Sequence, residues 1–211
     1  MLIYILLLSI QVPANIVCLI IASYSVASGG RAGIPAGVYL LLAALYWAAV
    51  AALGIRCIVR SFHAFARQDS DACFKGMLTL KYGLIPFFLI NFISITFLFL
   101  TAFVASRGTI LFALPVIVGL IAFGSLCTWL AMLPGAFYGV QTIRMACRMG
   151  RIGPKAALLH GILQFIFLLD VLDAVYLSLV TFRAARPVSL AVFGLYSAGF
   201  ACGILFLLQI A

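Results

Sequence analysis

The chain is built of long apolar blocks, and the connections between them carry the charge. Six blocks can be marked, at 2–24, 34–55, 82–105, 109–139, 156–181 and 188–210. Each has the roughly 20 apolar residues that, rising about 1.5 Å apiece, cross a hydrocarbon core of about 30 Å. The pattern predicts an all-α integral membrane protein, a polytopic bundle of about six transmembrane helices forming a single domain over residues 1–211. The first block begins MLIYILLLSI without a basic leader and contains Pro13 and Asn15. It therefore reads as a retained first helix and not as a cleaved signal peptide.

Composition strengthens this reading. Hydrophobic residues make up 67% of the chain and charged residues 8%, whereas a soluble domain carries roughly 25% charged residues to face water. A water-soluble globule is excluded. Charge then orients the bundle. Arg56, Arg60, Arg67, Lys75 and Lys81 lie in the second connection, and Arg144, Arg148, Arg151 and Lys155 in the fourth. The other three connections hold only Arg31, Arg107, and the pair Arg183 and Arg186. The positive-inside rule places the second and fourth connections, and with them both termini, in the cytoplasm of a multi-pass protein. The net charge of +9 fits anionic lipid headgroups on that face and gives no reason to expect nucleic acid.

The fourth block is too long. Its 31 residues would make about 46 Å of helix, so it must tilt, run on into the cytoplasm or break, and Pro134 beside Gly135 is the expected place for a break.

The odd-numbered blocks each carry a polar pair near mid-length: Gln11 and Asn15, Asn91 and Ser94, Asp170 and Asp173. From Asn15 to Arg31, Asn91 to Arg107 and Asp170 to Arg186 the spacing is sixteen residues each time. Arg56, Arg60, His63 and Arg67 follow the same spacing as Arg144, Arg148, Arg151 and Lys155. These matches suggest three related helical hairpins, roughly 1–80, 81–155 and 156–211, with three polar faces around one axis.

Asp170 and Asp173 in FIFLLDVLDAVYL carry the strongest chemical signal. A carboxylate at mid-bilayer costs about 2.5–3.5 kcal/mol on insertion scales, so both should face the bundle interior and be protonated, paired or hydrated. One reading is a ligand or ion site shared with Asn91, Ser94, Asn15 and Gln11; the other is a hydrogen-bonded pair that only fixes helix packing. Asp173 should sit nearer the outer interface, within reach of water. His160, ten residues before Asp170, should lie about 15 Å away along a straight helix, out of contact and near the cytoplasmic interface.

The basic stripes, Arg56, Arg60 and Arg67 on one segment and Arg144, Arg148 and Arg151 on the other, are expected to meet lipid headgroups or an anionic partner, with Phe62 and Phe65 in the interface. Pro154 should interrupt the second stripe before Lys155. Small residues at Ala44, Ala48 and Ala52, and at Gly194, Ala198 and Cys202, permit close helix contact, expected chiefly within the chain and alternatively with a second copy or a membrane-complex partner.

Cys18, Cys57, Cys73, Cys127, Cys147 and Cys202 form no CxxC pair, so neither a zinc site, a disulfide framework nor any other cofactor is expected. Glu is absent from the sequence, and so are HExxH, GxSxG and P-loop motifs. An enzyme is not expected. Two functions fit: a small transporter, channel or substrate-binding membrane subunit with an acidic site at mid-membrane, or a non-catalytic accessory protein that scaffolds a larger complex.

Overall fold

A computed structural model describes residues 1–11, 13–14, 36–105 and 110–210, and all their regular structure is helical. Asn15, Cys18, Arg31 and Arg107 lie outside the described residues, and with them much of the sixteen-residue pattern. The helices are α1 (Leu2–Gln11), α2 (Ala36–Ala66), α3 (Ser70–Gly83), α4 (Ile85–Ala105), α5 (Ile110–Arg148), α6 (Pro154–Leu163), α7 (Leu169–Tyr176) and α8 (Arg186–Ile210), with a turn of π-helix at Leu177–Phe182. Three stretches, Leu41–Ala66, Ser70–Phe97 and Ile117–Arg148, are long and apolar enough to cross a membrane. Large apolar side chains point outward along these helices and α8, Phe97 at 66% exposure and Phe200 at 75% among them.

Several sequence-based boundaries need correction. The block 34–55 continues as helix to Ala66, because hydropathy falls at Arg56 while nothing from 56 to 66 disfavours a helix. The connection 56–81 holds a further helix, α3, started by Asp69, whose Oδ1 accepts from the Ala72 amide at 2.9 Å in the N-cap manner. Between α2 and α3 the chain turns through Gln68 at φ 58°.

The expected break at Pro134 is absent, and α5 runs unbroken through Pro115 and Pro134 to Arg148. Pro134 leaves the Leu130 carbonyl without its helical donor. The Tyr4 hydroxyl donates to the next carbonyl, of Ala131, at 2.9 Å, the kind of outside donor that lets a proline sit within a helix. The helix instead ends at Gly150, φ 69°, where the amides of Gly150 and Arg151 close on the carbonyls of Cys147 and Ala146 in a Schellman arrangement. A side chain would strain that left-handed residue.

The largest departure lies in 156–181, expected as one helix. It is α6, five non-helical residues, α7 and the π-turn. Leu168 has φ 71° at the start of α7, a conformation that ends one helix and redirects the next.

The described chain divides into two compact units, each discontinuous in sequence. Unit 1 is Met1–Arg60 with Gly83–Pro134, and unit 2 is Ser61–Tyr82 with Gly135–Ala211. The core of unit 1 includes Tyr4, Leu8, Val50, Cys57, Phe87 and Met132. In unit 2 it includes Cys73, Met77 and Leu80 of α3, Tyr138 and Ile143 of α5, and Val171, Val175 and Leu177.

Candidate functional site: an ionic cluster in unit 2

The chemistry of unit 2 gathers where α3 ends and α7 begins. Lys81, near the end of α3, is 2% exposed. Its Nζ donates to the Asp170 backbone carbonyl at 2.8 Å and to Asp170 Oδ2 at 3.2 Å. Asp170 lies in the first turn of α7, where the positive end of the helix dipole favours a carboxylate. Asp173, one turn further on, pairs with His160 Nδ1 and accepts from Gln164 Nε2. The His160 ring stacks on Tyr176, centroids 5.3 Å apart. Lys81, Asp170, Asp173 and Gln164 are all buried, and the His160 side chain is 15% exposed.

Glycines of α5 make the space. A Cβ on Gly139 would collide with Gln164 Oε1, and one on Gly135 would touch the Lys81 side chain at 3.4 Å. Gly135 and Gly139 are four apart, so one face of α5 lacks side chains where Lys81 and Gln164 need room. Gln164 Oε1 is buried and makes no hydrogen bond. A second polar thread runs beside the cluster: the Tyr82 hydroxyl meets Ser189 Oγ at 2.8 Å, Ser189 Oγ donates to Ser178 Oγ at 2.7 Å, and Ser178 Oγ donates to the Ala184 carbonyl at 2.5 Å.

The two aspartates are thus brought together, but with partners other than those expected. Asp173 is 5% exposed and is not open to water. His160 touches Asp173 and is no lone interfacial histidine, because the straight-helix distance does not apply across a fold-back. Asn91 Nδ2 donates to Thr128 Oγ1 at 2.5 Å and Ser94 Oγ donates to the Ile90 carbonyl at 2.8 Å, both within unit 1. Gln11, also in unit 1, has a buried Oε1 without a hydrogen bond, and Asn15 is outside the described residues.

Sequence reasoning missed Lys81 and Gln164. Lys81 was grouped with the cytoplasmic cations although it stands in the apolar run GMLTLKYGLIPFFL; a cation in such a run calls for a buried counter-ion as surely as Asp170 does. Gln164, the polar residue in GILQFIFLL, gave a similar signal.

Of the basic stripes, Arg144 and Arg148 of α5 stand over the Phe65 ring, with Cζ 5.0 and 4.4 Å from its centroid, and Arg151 stands 5.3 Å over Phe182. Phe62 packs on Phe137, centroids 5.9 Å apart. Arg56, Arg60 and Arg67 are exposed, and Pro154 does separate Lys155 from the α5 stripe by opening α6. The small residues are not packed inside as expected: Ala44, Ala48, Ala52, Ala198 and Cys202 are exposed, and a Cβ on Gly194 or Gly199 would meet nothing within 4 Å. Among the described residues no three His, Cys, Asp or Glu side chains converge as metal ligands would.

No curated protein and no solved structure matches the chain. A family model does match, over residues 3–184, a span that holds every member of the ionic cluster, and the chain belongs to that family, the family of unknown function DUF6652.

Proposed function

We propose that this chain is a multi-pass integral membrane protein that binds a proton or a small cation at the Lys81–Asp170–Asp173–His160 cluster, as a small transporter or the substrate-binding subunit of one. The membrane part rests on composition, on the long apolar stretches and on the outward-facing Phe and Leu side chains, which water would not tolerate at this density. The site part rests on one observation: four ionisable side chains are gathered in the core of unit 2 where the chain leaves helical geometry. Buried ion pairs are weak stabilisers compared with apolar packing of equal volume, so their presence is poorly explained by stability. Interrupted helices beside buried charges are also how membrane transporters build binding sites.

The charge balance defines the ligand. With a neutral imidazole the cluster holds two carboxylates against one ammonium and carries a net charge of −1; with an imidazolium it is neutral. One proton, or one monovalent cation in its place, closes the balance. Gln164, bonded to Asp173 through Nε2, offers Oε1 as a further acceptor. None of these side chains makes a nucleophile–base pair of the kind hydrolases use, and the reading is non-catalytic.

A second reading, an accessory membrane protein, is favoured by the completeness of the pairing, since a purely structural lock would also give each aspartate an internal partner. A thermal-shift screen of the purified protein against inorganic and organic monovalent cations separates the two, because a ligand of the native state raises the melting temperature. We expect a rise that is lost in Asp173→Asn and His160→Gln. No rise with wild-type protein, or one that persists in both variants, transfers the chain to the accessory reading.

A further inference from the structure

Residues 151–182 fold back on themselves. Arg151 stacks over Phe182 and His160 pairs with Asp173, and both pairs are centred on the same point, between residues 166 and 167. His160 also stacks on Tyr176 and Gln164 bonds Asp173. In one straight helix, Arg151 and Phe182 would be about 46 Å apart and His160 and Asp173 about 20 Å. The segment is therefore a helical hairpin, with α6 as one arm, α7 and the π-turn as the other, and the bend around residues 164–168.

The hairpin has a distribution of polarity that suits a membrane leaflet. At its tip Ile166, Phe167, Leu168 and Leu169 are exposed, at 39–53%, and Leu158, Leu159 and Ile162 of α6 are exposed as well. At its base stand exposed cations on both sides, Arg151 and Lys155 before the first arm, Arg183 and Arg186 after the second. The ten residues of α6 reach about 15 Å, half the depth of a hydrocarbon core of about 30 Å.

Resting on the membrane reading above, we propose that residues 154–182 are a re-entrant hairpin: it enters the bilayer from the cytoplasmic face, sets its apolar tip among the acyl chains, and returns to the same face. The six-span expectation counted this segment as a crossing. Without that crossing α8 starts in the cytoplasm and the C-terminus is outside. The charges agree better with this topology, because Arg183 and Arg186 join Arg151 and Lys155 on the cytoplasmic face, leaving Arg31 and Arg107 as the cations of the external connections. The base cations then meet anionic headgroups while the tip meets hydrocarbon. The cluster of Asp173 and His160 lies along the arms, so it is reached from the cytoplasmic leaflet.

The test places an epitope tag after Ala211 in the otherwise native chain. Gly153→Cys and Ala184→Cys are introduced separately into a full-length chain whose own cysteines are replaced by alanine. A membrane-impermeant maleimide should label both positions only after permeabilisation, and the tag should bind antibody on intact cells. A cytoplasmic tag, or labelling of positions 153 and 184 from opposite faces, overturns the hairpin; the tag alone decides the matter if the cysteine-free chain does not fold. A fluorophore at Ile166→Cys should be quenched by lipid-tail quenchers and not by aqueous iodide. The reverse result overturns the insertion of the tip. Each readout is independent of whether the cluster binds a cation.

Discussion

The two compact units handle buried polarity in different ways. In unit 1 neutral groups join the helices: Tyr4 donates to the Ala131 carbonyl, Tyr46 to the Leu7 carbonyl at 2.7 Å, and Asn91 to Thr128, which itself donates to the Gly124 carbonyl at 2.7 Å. In unit 2 the centre is ionic, with Lys81 on Asp170 and His160 on Asp173. Neutral hydroxyl and amide contacts are enough to join apolar helices, and unit 1 uses them. Unit 2 has ionic groups where neutral ones would serve the fold, and that difference is the reason to place function there.

The comparison predicts a graded response to substitution. The largest effect should come from halving the buried pair. Lys81→Met strands Asp170 in the core and should cost about 3–5 kcal/mol, whereas removing both charges, as Lys81→Met with Asp170→Leu, should recover most of that loss. Thermal unfolding in detergent measures both. Asp170→Asn should also be strongly destabilised, because it leaves the buried ammonium of Lys81, 3.2 Å from Oδ2, without its counter-charge. Equal losses for the single and double variants would show that packing, and not charge pairing, sets the stability of unit 2.

Next in size is a steric test. Gly139→Ala puts a methyl group where Gln164 Oε1 lies, and such overpacking costs typically about 1–3 kcal/mol. Because Gln164 holds Asp173, the cation response should weaken with it. In unit 1, a Cβ at Gly119 meets nothing within 4 Å, so Gly119→Ala should stabilise α5 by up to about 1 kcal/mol. Opposite signs at two glycines of one helix are the expected result; the same sign at both would remove the argument that Gly139 exists to admit Gln164.

Tyr4→Phe should be milder. It removes the hydrogen bond to Ala131, about 0.5–1.5 kcal/mol for a neutral bond, and it should leave the cation response untouched, because its partner belongs to unit 1.

What could be read from the sequence follows from which forces act locally. The helical class and the broad positions of α2, α4, α5 and α8 were legible, since long apolar runs fix them. Helix ends were not: Arg56 to Ala66 is polar yet helical, so a hydropathy boundary at Arg56 marks a change of composition and not of backbone. The fold-back at residues 164–168 was illegible because residues 162–172 contain no proline and no glycine, and the positive φ falls on Leu168, a residue type that gives no sign of one. The same bend explains the site. Asp170 and Asp173 stood out as charges in an apolar run, but pairing them with Lys81 and His160 required knowing that the chain reverses.

The smallest predicted effect bears most directly on the comparison. Asn91 was a candidate site residue by its polar spacing with Ser94, and its amide instead donates to Thr128 within unit 1. Interhelical hydrogen bonds of this kind between membrane helices average about 0.6 kcal/mol, because each partner finds other bonds when the helices separate. Asn91→Leu together with Thr128→Val removes donor and acceptor at once and leaves no unpaired group at that contact, so the melting temperature should barely move. The cation-induced shift should also persist. If the double variant instead loses that shift while remaining folded, Asn91 belongs to the ligand path after all, and the proposal that the ligand is held by the ionic cluster of unit 2 alone fails at its weakest point.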